Sequence, residues 1–97
     1  MIFHNKDIKI AVIGLGYVGL PLAIELAKKF KVYGYDINKE RVKDLKLNID
    51  NTLEVDSSTL KKTKVNFSFN EKILNKANTY IVTVPTGINR KNIPAIR

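Results

Sequence analysis

Short apolar runs alternate with amphipathic stretches along the chain. Lys9-Ile-Ala-Val-Ile-Gly14 is an apolar, β-branched run ended by glycine. Such a run predicts a strand buried on both faces, as in a parallel sheet. From Tyr17 the period changes. Val18, Leu22, Leu26 and Phe30 recur every four residues, with Ala23 and Ala27 beside them, while Glu25, Lys28 and Lys29 are polar. This predicts an amphipathic helix with a stripe facing a sheet. Pro21 falls in its first turn or just beyond, where a missing N–H costs little. The lysines at its end suit the negative pole of the helix dipole.

Lys31-Val-Tyr-Gly-Tyr-Asp36 reads as the next strand, and Asn38 as the N-cap of a following helix with Val42, Leu45 and Ile49 on its apolar side. Asn48 to Ser58 is loop-like, with Ser57 or Ser58 capping a short helix through Leu60. Val65-Asn-Phe-Ser-Phe69 alternates like a strand, Glu71 to Ala77 reads as a short helix, and Tyr80-Ile-Val-Thr-Val84 as another buried strand. Pro85-Thr86-Gly87 stops it, and Asn89 to Arg97 is polar, basic and without period. Strands separated by helices imply a parallel sheet with right-handed crossovers. The expected fold class is α/β: a Rossmann-type parallel sheet with helices on both faces, incomplete in its second half.

The length of 97 residues accommodates one domain. Hydrophobic content of 44% argues for a folded core despite the charge. Cysteine is absent, which excludes a disulfide framework, a thiolate metal site and a cysteine nucleophile within these residues. The apolar runs are far shorter than the roughly 20 residues that span a bilayer, and no secretory signal pattern opens the chain. The reading is therefore a cytoplasmic protein without a membrane partner. Lys+Arg 17 against Asp+Glu 9 give a net charge of +8. The lysine clusters at 28–31 and 61–64 and the pair Arg90–Lys91 have no aromatics interleaved in a stacking pattern. They read as a solvated surface, and no nucleic-acid partner is expected.

Gly14-Leu-Gly16-Tyr-Val-Gly19 follows the first strand and opens the first helix, and Asp36 ends the second strand 22 positions beyond Gly14. The glycine pattern alone is weak, but in this setting it is the dinucleotide-binding fingerprint. Gly14 permits the tight turn, Gly16 lets a pyrophosphate approach the backbone, and Gly19 lets the helix pack on the sheet. The phosphates then sit at a helix N-terminus. Asp36 is positioned to accept hydrogen bonds from the adenosine ribose and to repel a 2′-phosphate, which favours NAD over NADP. Arg41 complicates that preference, because an arginine here could attract a 2′-phosphate. On the motif alone, FAD or another adenine nucleotide stays open.

Three segments in order, Ile13-Gly-Leu-Gly-Tyr-Val-Gly-Leu-Pro-Leu-Ala23, Gly34-Tyr-Asp-Ile37 and Val82-Thr-Val-Pro-Thr86, resemble the UDP-glucose/GDP-mannose dehydrogenase family. Asp50-Asn-Thr-Leu-Glu-Val55 is most similar to the branch acting on UDP-N-acetylhexosamines, including the enzymes of Vi-type capsular polysaccharide synthesis. The resemblance implies a two-step oxidation of a UDP-sugar C6 hydroxyl to a carboxylate with two NAD. It implies that Tyr17 and Val18 meet the cofactor phosphates through backbone groups, that Asp36 and Arg41 hold the adenosine ribose end, and that Thr86 lies near the nicotinamide. The family's usual proline after Val-Pro-Thr is replaced by Gly87. Its catalytic cysteine, lysine and further acids belong to later segments, so residues 1–97 are expected to be a truncated NAD-binding domain of a longer enzyme, without turnover of its own.

Other residues carry less. His4 lies near the terminus, Glu54 and Asp56 read as loop charges, and Tyr33 and Tyr35 as core packing. No metal-ligand cluster is expected. Two rival readings are the N-terminal part of a β-hydroxyacid dehydrogenase and a non-catalytic interaction module. The apolar strand Tyr80–Val84 would form an open sheet edge, so self-association into a homo-oligomer is expected.

Overall fold

The computed structural model describes residues 7–83 of the chain. Strand β1 (Lys9–Ile13) is followed by helix α1 (Gly19–Leu26), strand β2 (Lys31–Tyr35), helix α2 (Lys39–Lys46) and helix α3 (Ser57–Lys62). Strand β3 (Asn66–Ser68), a 3₁₀ helix over Glu71–Lys76 and strand β4 (Thr79–Val82) complete it. All strand pairs are parallel, in the order β3-β2-β1-β4. β1 pairs with β2 on one side and β4 on the other, so strand order reverses beside β1. In open parallel sheets, ligands bind at the carboxyl edge at that reversal.

The uninterrupted apolar runs are explained by burial. Ile10, Ala11 and Val12 are all buried, and so are Val32 and Tyr33. Successive strand residues point to opposite faces, so β1 and β2 are covered on both sides. Ile10, Val12 and Val32 join Leu15, Leu20, Ala23, Ile24, Leu45, Leu60 and Val65 in one apolar cluster. β4 departs from the expected buried strand. Tyr80 and Val82 are exposed because β4 lies at the edge of the described sheet.

The first helix also departs, in length and in rotation. It begins at Gly19 with Val18 as N-cap and ends at Leu26. Its sealed residues are Gly19, Leu20, Ala23 and Ile24, whereas Val18 is 52% exposed. The Val18-Leu22-Leu26-Phe30 stripe therefore does not face the sheet squarely, and only Leu26 and Phe30 of that stripe pack against the main cluster. The cause is the glycine turn. A Cβ on Gly19 would collide with the Gly14 carbonyl, so the Gly19 face must turn inward.

In α2, Asn38 caps as expected, its side chain accepting from the Arg41 backbone N–H at 3.1 Å. Val42 and Leu45 are buried, but Ile49 lies beyond the helix and is exposed. Asn48 ends α2 in the left-handed region, φ 66°, which swings Ile49 away. α3 is capped by Asp56, not by Ser57 or Ser58. The Asp56 carboxylate accepts from Thr59 N–H at 2.9 Å, which its shorter seryl neighbours do not.

α3 is anchored by one buried side chain, Leu60. Leu60→Ala is expected to lower the unfolding free energy by about 2–3 kcal/mol, read from urea denaturation.

Candidate functional site

The turn from β1 into α1 is built by close approach. Gly14 has φ +103°, a backbone that other L-residues rarely adopt. A Cβ there would also lie 2.5 Å from the Thr83 carbonyl oxygen. Thr83 follows β4, and its hydroxyl donates to the Gly14 carbonyl at 2.9 Å. Gly19 closes the other side of the same contact. Gly16 is different: a Cβ on it would meet nothing within 4 Å. Two of the three glycines are thus required by packing, and the third faces open space.

The open space is a cleft of about 330 Å³ at the carboxyl edge of the sheet, lined by Gly14 to Val18, Asp36, Asn38, Arg41, Thr52 and Thr83. It gathers all the expected site residues except Gly19, which packs beneath it, and Thr86, which lies outside the described residues. A larger cavity of about 410 Å³ between α1 and α3, with Lys28, Lys62 and Lys64 on its wall, is remote from the motif. Tyr17 and Val18 are exposed at the mouth of the cleft. Val18 offers no side-chain cap to α1, and the first turn holds no carboxylate. The helix N-terminus is therefore left with its partial positive charge for an anion.

Asp36 and Arg41 do more than line the cleft. Asp36 Oδ2 accepts the Leu15 N–H at 2.8 Å, and Oδ1 accepts the Asn38 N–H at 2.9 Å. Arg41 Nε donates to the Leu15 carbonyl at 2.7 Å. The two side chains hold the same residue of the glycine turn from its two ends. Each Asp36 oxygen keeps a second lone pair for a further donor.

Behind Arg41 stands Asp50, a residue that sequence reading used only as part of a family-like segment. Its side chain is fully buried and pairs with Arg41 Nη1 at 2.7 Å. It also accepts from Thr52 N–H and hydroxyl, and from the N–H groups of Glu54 and Val55. The signal was available: aspartate two residues before threonine in a loop is an Asx-turn pattern. Burial raises the Asp50 carboxyl, but the Thr52 hydroxyl, the Arg41 guanidinium and the backbone donors outweigh it and bring it to about 2. Arg41 Nη2 is the one buried side-chain polar atom without a hydrogen-bond partner among the described residues. Also among the described residues, no group of three or more His, Asp or Glu could hold a metal. No helix among the described residues is long and apolar enough to cross a membrane.

Two outcomes test this geometry. Gly19→Ala should destabilise the chain by about 2 kcal/mol or more through overpacking, whereas Gly16→Ala should change stability by no more than about 0.5 kcal/mol; urea denaturation of both variants measures this. The second concerns pH. Because the Asp50 carboxyl is held below its unfolded value, it stabilises the fold at neutral pH, and that contribution fades as pH falls from about 4 towards 2. Its size is about 2 kcal/mol, and wild type should lose that much more stability than Asp50→Asn between pH 5 and pH 2.

Comparison with known proteins agrees with this architecture. A model of the UDP-glucose/GDP-mannose dehydrogenase family, NAD binding domain, matches residues 8–96. The chain is 53% identical over 90 residues to a UDP-N-acetyl-D-glucosamine 6-dehydrogenase of Pseudomonas aeruginosa, covering 92% of this chain and 21% of that protein. It is 49% identical over 85 residues to Protein CapL of Staphylococcus aureus, covering 88% and 20% respectively. To a UDP-N-acetyl-D-mannosamine dehydrogenase of Methanocaldococcus jannaschii it is 48% identical over 82 residues, covering 80% and 19%. The chain thus spans about a fifth of the length of these curated relatives. The match sets aside the β-hydroxyacid dehydrogenase reading. With its four-stranded parallel sheet, glycine turn and acid-ended second strand, the chain belongs to the UDP-glucose/GDP-mannose dehydrogenase family and matches that family's NAD-binding domain.

Proposed function

We propose that the cleft over Gly16 holds the adenosine and pyrophosphate half of NAD, and that the chain serves as the cofactor-binding part of a nucleotide-sugar 6-dehydrogenase. The observation that carries this reading is the double hold of Asp36 and Arg41 on Leu15. It fixes the turn with Gly16 open and the α1 N-terminus uncapped, which is the arrangement a pyrophosphate needs. Tyr17 and Val18 contribute backbone N–H groups to the phosphates. Asp36 accepts the ribose hydroxyls with its remaining lone pairs, and Arg41 borders that end. Thr86, beyond the described residues, is assigned to the nicotinamide side by family resemblance. NAD, when bound, supplies the hydride acceptor.

The names of the relatives support UDP-N-acetylhexosamines as the substrate class of the whole enzyme. Its reaction is then oxidation of the sugar C6 hydroxyl to a uronate with two NAD, feeding cell-surface polysaccharide synthesis in the cytoplasm. The UDP-sugar is bound by parts of the enzyme outside this chain. β4, with Tyr80 and Val82 exposed at the edge of the described sheet, supports self-association of the chain into a homo-oligomer.

Calorimetric titration tests the cofactor assignment. NAD should bind more tightly than NADP. Asp36→Ala and Gly16→Ala should each weaken NAD at least about tenfold, in line with the loss of a charge-assisted hydrogen bond or of close backbone approach. Retained NAD affinity in both variants would remove the assignment.

A further inference from the structure

Arg41 poses a problem for NAD selectivity. A guanidinium five residues past the ribose-binding acid is well suited to a 2′-phosphate, because it offers planar, paired donors to phosphate oxygens. In this chain two of its three nitrogens are already committed, while Nη2 is buried without a partner among the described residues. Nε is spent on the Leu15 carbonyl and Nη1 on Asp50, both at 2.7 Å, and the side chain is only 10% exposed. Lys39, the cation nearest to Asp36 in sequence, lies over the Phe69 ring, 5.5 Å from its centroid.

We propose that Asp50 is a specificity-determining residue: by pairing with Arg41 through Nη1 it cancels the guanidinium charge and fixes the group in place, so that the ribose end of the cleft selects NAD against NADP. The proposal rests on the reading that Asp36 receives the adenosine ribose. Around that end stand two carboxylates, Asp36 and Asp50, and one guanidinium, which leaves one net negative charge facing any 2′-phosphate. Asp50 cannot touch the cofactor, since its side chain is fully buried. It acts through Arg41 alone. Its own charge is secure at neutral pH, because the surrounding donors hold the carboxyl well below its ordinary value.

The test compares dissociation constants for NAD and NADP by calorimetry in the wild-type chain, Asp50→Asn, and the double variant Asp50→Asn with Arg41→Gln. Wild type should prefer NAD. Asp50→Asn uncovers the guanidinium and should raise the NADP-to-NAD affinity ratio at least about tenfold, as expected for one unscreened charge near a phosphate. Adding Arg41→Gln should return the ratio to the wild-type level. A merely structural Asp50 would weaken both cofactors alike and leave the ratio unmoved, which would overturn the proposal. So would a wild-type chain that binds NADP as well as NAD, or a ratio that stays high without Arg41.

The Asp50→Asn change turns an amide towards the Glu54 and Val55 N–H groups, so this variant can lose its fold. Asp36→Asn then decides. With Arg41 cancelled by Asp50, removing the Asp36 charge should leave NADP no tighter than NAD; a switch to NADP preference would mean Arg41 is not cancelled. Failure of the underlying cofactor assignment looks different. In that case neither Asp36→Ala nor Gly16→Ala weakens NAD, and the role of Asp50 falls with it.

Discussion

Leu15 is held at both ends of its backbone, and the cleft depends on that hold. The Asp36 carboxylate accepts its N–H and the Arg41 guanidinium donates to its carbonyl. Both are charge-assisted hydrogen bonds, the stronger kind. Between them they tie the end of β2 and the first turn of α2 to the turn that leaves β1. The Leu15 side chain, meanwhile, is fully buried in the main apolar cluster. One residue thus carries core packing through its side chain and cleft geometry through its backbone. The residues proposed to meet the cofactor, Asp36 and Arg41, are structural elements in their own right.

The same economy appears at the three glycines. Gly14 and Gly19 press against each other and against Thr83, which draws α1 onto the turn and brings the chain after β4 alongside it. That contact sets the rotation of α1 about its axis, and the rotation decides which apolar side chains reach the core. Gly16 takes no part in it. Packing therefore explains two glycines, and only the third is left for ligand approach to explain.

The sequence made some of this legible. The apolar runs of β1 and β2 stand out because strands buried on both faces have no polar alternation to hide them. The glycine spacing and Asp36 locate the cleft directly. The rotation of α1 was not legible, because the helix carries two competing apolar stripes. Val18-Leu22-Leu26-Phe30 has the larger side chains, while Leu20-Ala23-Ile24-Ala27 has the smaller ones. Periodicity cannot choose between them; the Gly14–Gly19 contact does, and it is a tertiary fact. The Asp56 cap was missed because serines at 57 and 58 satisfy the same pattern one or two residues later. Asp50 was missed for a deeper reason. The Asp50–Thr52 spacing marks a turn, but the ion pair with Arg41 and the N–H groups of Glu54 and Val55 arise from the folded loop, and backbone donors leave no mark in a sequence.

That loop also explains why position 50 holds a carboxylate. Leu53 sits in the left-handed region at φ 59° and is 88% exposed, so it buries nothing in return for a strain of about 1–2 kcal/mol. What holds it there is Asp50. The Asp50 carbonyl accepts the Leu53 N–H at 3.1 Å, and its carboxylate collects the N–H groups on both sides, from Thr52 and from Glu54 and Val55. A neutral amide has one acceptor oxygen for these donors, and its NH₂ would face N–H groups. A carboxylate has two acceptor oxygens and a full charge to match Arg41. The loop conformation and the charge of the cleft are therefore set by one side chain. Any change that frees Arg41 by altering Asp50 must also release the strained turn at Leu53. Changes at position 50 would therefore meet a larger stability cost than changes at Asp36, which is partly exposed and holds two backbone N–H groups.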